Sequence, residues 1–195
     1  MKKIIYIEAE NKKVPEYCFL TEFIQHLALD IEVQPIGGKD QLSLLSSKLR
    51  ADILAGDKPV ILFDADEPNN NGGYAKRLAE LTAFLTSNRF EETPIFLWPN
   101  NHDDGDFELM LENIAQRAAH QVFFDCFEDY EKCVGGQYLV PNRKGKLHTY
   151  ITAQKQLSNA QKRKLGQGNW LFDDKNYWDW DAPYLDPLRQ FLNSI

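Results

Sequence analysis

Four short apolar runs divide the first part of the chain, and each gives way to a segment of different rhythm. Lys3 to Ala9 contains Ile4, Ile5, Tyr6 and Ile7 in nearly unbroken sequence, and Ile31 to Ile36, Pro59 to Phe63 and Pro94 to Trp98 repeat the pattern. Strands buried on both faces read this way. The segments between them carry helical stripes at i, i+3, i+4 and i+7: Leu20, Phe23, Ile24, Leu27; Leu42, Leu45, Leu49, Ile53; Tyr74, Leu78, Leu81, Leu85; and Phe107, Met110, Leu111, Ile114, Ala118. Strand and helix alternating with short links predict an α/β fold, an open parallel sheet with helices on both faces.

Residues 1–118 form that expected core, and 119–195 an irregular, α-rich C-terminal elaboration packed on it as one structural domain. There Val122-Phe123-Phe124 is compatible with one more short strand. Lys144-Gly145-Lys146 reads as an exposed turn, His148 to Gln156 as helical, and Leu185, Leu188, Phe191 and Leu192 as a closing helix. Trp170, Trp178 and Trp180 are expected to fasten this segment to the core. The formal net charge of −7 argues against wholesale coating of nucleic acid by a basic surface. Cys18, Cys126 and Cys133 lack metal-site spacing and read as reduced thiols of a cytoplasmic protein. No stretch is apolar for long enough to span a membrane.

The third run ends abruptly in acid: Ile61-Leu62-Phe63 leads into Asp64-Ala65-Asp66-Glu67. Desolvating unpaired carboxylates is costly, so acids at a strand end should face a cleft, where a cation neutralises them. Oxygen-rich sites suit Mg²⁺ or Mn²⁺. Ligands of open α/β sheets sit beyond the carboxyl ends of the strands. Glu8, Gly37-Gly38, Asp64, Asp66 and the Asn100 to Asp106 loop all lie at those ends and are expected to converge. Alternation along an extended chain puts residues i and i+2 on one side, which would let Asp64 and Asp66 share an ion.

These residues resemble the TOPRIM superfamily of topoisomerases, primases and OLD-type nucleases. Ile4-Ile5-Tyr6-Ile7-Glu8 resembles its first-strand glutamate, and Ile61 to Asp66 its Asp-x-Asp after the third strand. Gly37-Gly38-Lys39 is similar to a turn of OLD-like members. Gly105 to Leu111, with Glu108, resembles the helix start of a TOPRIM-related, uncharacterised bacterial family, as do Lys146 to Tyr150 and the Leu188 to Leu192 helix. The chain has Glu8-Ala9-Glu10 where many members have Glu-Gly, and Glu16 where an Asp is expected.

The resemblance implies a Mg-dependent, nuclease-like phosphodiester enzyme acting on nucleic acid or another phosphate-containing substrate. It implies Asp64 and Asp66 as ligands of Mg²⁺ or Mn²⁺, joined by Glu108. Glu8 would be the catalytic acid/base, and Gly37, Gly38 and Lys39 the phosphate-contacting turn. A catalytically degenerate TOPRIM-like binding module is the alternative. A receiver-like signalling domain is third, since Asp64, Pro68 and Gly72-Gly73 loosely resemble its phosphorylated loop.

Overall fold

Alternation along the strands divides the core of this protein in two. The computed structural model describes residues 1–37 and 41–195. Strands β1 (Lys3–Ile7), β2 (Glu32–Pro35), β3 (Lys58–Asp64) and β4 (Ile95–Trp98) form a parallel sheet in the order β2-β1-β3-β4. Ile4 pairs with Glu32 on one side and Pro59 on the other, and Asp64 pairs with Trp98. Four helices follow the strands in turn: α1 (Pro15–His26), α2 (Leu42–Ala55), α3 (Tyr74–Asn88) and α4 (Phe107–Ile114).

Ile5, Ile7, Val60, Leu62, Phe96 and Trp98 face one core with α1 and α4; Ile4, Tyr6, Ile61, Phe63 and Leu97 face the other with α2 and α3. The chain is therefore an α/β protein with helices on both faces. The switch of faces has a topological cause. The connection from β1 to β2 runs one way along the sheet, while those from β2 to β3 and from β3 to β4 run the other. Right-handed crossovers then put α1 opposite α2 and α3. A crevice opens where the connections leaving β1 and β3 diverge.

Beyond α4 the chain continues through α5 (Gln121–Val134), α6 (Arg143–Thr152), α7 (Asn159–Leu165), a 3₁₀ turn at Pro183–Leu185 and α8 (Asp186–Ser194). The expected strand at Val122-Phe123-Phe124 is instead the start of α5. Three apolar residues carry no period of their own, and the wider spacing, with Phe124 buried and Phe123 and Phe127 half-buried, is helical. Lys144-Gly145-Lys146 is not a turn but the first part of α6, begun by the Asn142 side chain accepting from Gly145 N at 2.9 Å. The closing helix matches α8.

This segment enters the first core directly. Phe124, Leu147, Tyr150, Trp170, Phe172, Trp178 and Leu188 are buried against α1, α4 and the sheet. Trp178 is fully buried, and its indole donates to Trp170 O at 2.9 Å, which satisfies its one polar atom. Among the described residues no helix is long and apolar enough to cross a membrane.

Candidate functional site

At the carboxyl ends of β1 and β3 lies a pocket of about 530 Å³, walled by Glu8, Glu16, Asp64, Glu108 and Lys144, with Gly37 and Phe107 beside them. Each side chain arrives from a different element. Glu8 leaves β1, Asp64 is the last residue of β3, Glu16 lies in the first turn of α1, and Glu108 in the first turn of α4. Pro15 opens α1, where its missing N–H is no loss. Asp106 caps α4 by accepting from Leu109 N at 2.7 Å. Acids in both first turns also suit the positive end of each helix.

The wall is tied together in detail. Asp64 Oδ1 accepts from Phe107 N at 2.9 Å, joining β3 to the start of α4. Trp98 Nε1 donates to Glu16 Oε1 at 2.8 Å. That indole is itself fixed in an aromatic cluster, with Phe107 at 5.3 Å and Phe19 at 6.2 Å between ring centroids. The Arg77 guanidinium of α3 bonds Glu8, and both side chains are largely buried. Lys144 Nζ lies 3.2 Å from Glu108 Oε1. Its neighbour Arg143 bridges Asp106 at 2.9 Å and Glu112 at 3.2 Å, which clamps α6 onto α4.

The carboxyls disturb one another. Burial, together with Glu16, Glu108 and Glu8, raises Asp64 well above the usual carboxylate range, and only the Phe107 N–H opposes this. Burial likewise pushes Glu16 up to about 8, against the Trp98 hydrogen bond and aided by Glu8 and Glu108. Both residues are half-buried at the pocket wall, so the surrounding protein strips solvation without enclosing them, and like charge adds a separate push in the same direction.

Of the residues singled out in the sequence, the structure brings together Glu8, Gly37, Asp64 and Glu108. Gly37 adopts φ 95°, a left-handed conformation suited to glycine, and its N–H donates to Ala9 O at 2.9 Å. Gly38 and Lys39 lie outside the described residues. Asp66 does not line the pocket. The extended run stops at Asp64, and Asp66 takes φ 60°, so alternation no longer aligns the two side chains. Its carbonyl accepts from Gly105 N at 2.9 Å, and Gly72 packs against its Cβ.

Three contributors escaped the candidate set: Glu16, Arg77 and Lys144. Glu16 carried a signal, an acid beside Pro15 at a helix start. Arg77 and Lys144 carried none, because nothing in the spacing ties them to Glu8 or Glu108. Among the described residues, no three His, Cys, Asp or Glu side chains are grouped so as to hold a metal ion.

No protein-family model, curated protein or solved structure matches the chain significantly. What the geometry itself defines is an α/β protein with an acidic pocket at the switch point of a parallel sheet.

Proposed function

We propose that this pocket binds a divalent cation, Mg²⁺ or Mn²⁺, and through it a phosphate-containing substrate. In this reading the protein is a TOPRIM-like, nuclease-like phosphodiester-processing protein of the cytoplasm, acting on nucleic acid. The observation that carries the reading is the crowding of Asp64, Glu16 and Glu108 at one wall, which with burial raises Asp64 and Glu16. Crowded carboxylates with reduced solvation require protons or a cation. The donor chemistry suits the group, since hard oxygens are the ligands Mg²⁺ and Mn²⁺ take, but the carboxylates are not grouped closely enough to hold an ion as they stand and would have to draw together on binding.

Asp64, Glu16 and Glu108 would hold the ion, which when bound supplies charge neutralisation and orientation to a phosphate. Glu8, oriented by Arg77, is the acid/base group, the role in which a carboxyl takes or returns one proton. Lys144 offers an ammonium group at the rim, and Gly37 borders the pocket beside it. Asp66 shapes the loop behind Asp64 instead of acting as a ligand.

One observation favours a second reading, a binding module without turnover. Four of the five acids that line the pocket already have a protein partner: Arg77 for Glu8, Phe107 N–H for Asp64, Trp98 for Glu16 and Lys144 for Glu108. The two readings separate on a panel of DNA and RNA substrates with Mg²⁺ or Mn²⁺, using wild type, Asp64→Asn and Glu8→Gln. Metal-dependent cleavage lost in both variants supports the enzyme. Metal-dependent retention of nucleic acid without cleavage supports the module. Neither retention nor cleavage rules out both.

A further inference from the structure

Five of the protein's exposed large apolar side chains fall within one stretch of chain: Val122, Tyr130, Tyr138, Leu139 and Val140, with Leu139 98% exposed. The stretch is α5 and the loop that leaves it. At 3.6 residues per turn, Val122, Cys126, Tyr130 and Cys133 form a stripe along α5, and Phe123, Phe127 and Val134 widen it toward α6. No charged side chain interrupts that band. Phe124 lies on the opposite side, buried in the core, so the band is additional to the face that folding already uses. Between α5 and the start of α6 it borders an open groove of about 560 Å³, lined by Val122, Phe123, Phe127, Tyr130 and Pro141.

Contiguous exposed apolar surface of this kind marks an interaction site, and charge identifies the occupant. Asp125 and Asp129, four residues apart, run along the solvent edge of the stripe, and α5 carries four acids, Asp125, Glu128, Asp129 and Glu131, against one lysine. Lys132 pairs with Asp129 at 3.2 Å and Arg117 with Glu128, both at exposed positions, and the edge keeps a net negative charge. A second copy docking symmetrically would set this acidic edge against its own duplicate, in a chain of net charge −7. We propose that the α5–α6 groove receives an amphipathic helix of a partner protein, apolar on one face and flanked by Lys or Arg. Anchors at i, i+4 and i+7 on such a helix enter the groove, while its basic flank meets Asp125 and Asp129.

The test uses the full chain and two synthetic helical peptides of identical apolar pattern, one Leu/Lys and one Leu/Glu, with binding read by fluorescence anisotropy. The Leu/Lys peptide should bind at least about tenfold more tightly than the Leu/Glu peptide, with a preference that shrinks as salt rises. Val122→Ser with Tyr130→Ser alters exposed positions only; thermal melting confirms its fold, and it should weaken binding about tenfold. Asp125→Lys with Asp129→Lys should reverse the preference. Equal affinity for both peptides, or none for either, overturns the proposal. So does concentration-dependent dimerisation in sedimentation that Val122→Ser abolishes, because a second copy would then be the occupant.

Discussion

Asp64 and Glu16 owe their unusual acidity to neighbours and to lost solvation, and both can be relieved by substitution. In Asp64→Asn the side-chain oxygen still accepts from Phe107 N, while the cost that burial and like charge impose on an ionisable carboxyl is removed. Metal-free Asp64→Asn should therefore be as stable as wild type, or more stable by about 1 kcal/mol, in urea unfolding near neutral pH. Glu16 predicts a pH dependence. Its carboxyl is raised from 4.5 to about 8 in the folded state. Below the unfolded value both states hold the proton. As pH rises the unfolded chain ionises first, so this contribution to stability is lost through about pH 8. Metal-free wild type should lose stability across that window, and Glu16→Gln should flatten the fall in melts at stepped pH. Much of this wall was legible at the residue scale, because Glu8, Gly37, Asp64 and Glu108 stand at strand and helix ends. Arg77 was not, since its bond to Glu8 joins positions 69 residues apart and only the fold creates it.

Among the elements, α1 depends on a contact from far along the chain. Gly168, at φ +80°, packs directly on the Lys13 carbonyl, and a Cβ there would lie 3.0 Å from Val14 N. Gly168→Ala should strain both backbones, cost about 2 kcal/mol in chemical denaturation, and disturb the approach to Glu16. The four strands and first four helices were legible because long periodic segments declare their type. The start of α5 was not, since a three-residue apolar run fits strand and helix alike. Alternation past Asp64 failed for a different reason. The left-handed Asp66 is held by contacts to Gly72 and Gly105, which no local pattern reveals.

At the scale of the molecule, the sheet and the C-terminal segment share one core. Trp178, Tyr150 and Phe172 cover α1 and α4, the helices that carry Glu16 and Glu108. A fragment ending at residue 118 would expose that face, and it should lack cooperative thermal unfolding by circular dichroism. Trp178→Ala in the full chain should cost about 3–5 kcal/mol. The same packing assembles the pocket, so the proposed cation binding would depend on the whole fold and be readable as stability. The most direct measurement is the melting temperature of wild type, Asp64→Asn and Glu16→Gln against Mg²⁺ concentration, at a pH above the raised Glu16 value. The wild-type melting temperature should climb with the logarithm of Mg²⁺, by about 5 °C or more at a hundredfold excess over the dissociation constant. Both variants should lose most of that rise. A flat wild-type titration at millimolar Mg²⁺, or an equal rise in all three proteins, would contradict a cation site at this wall.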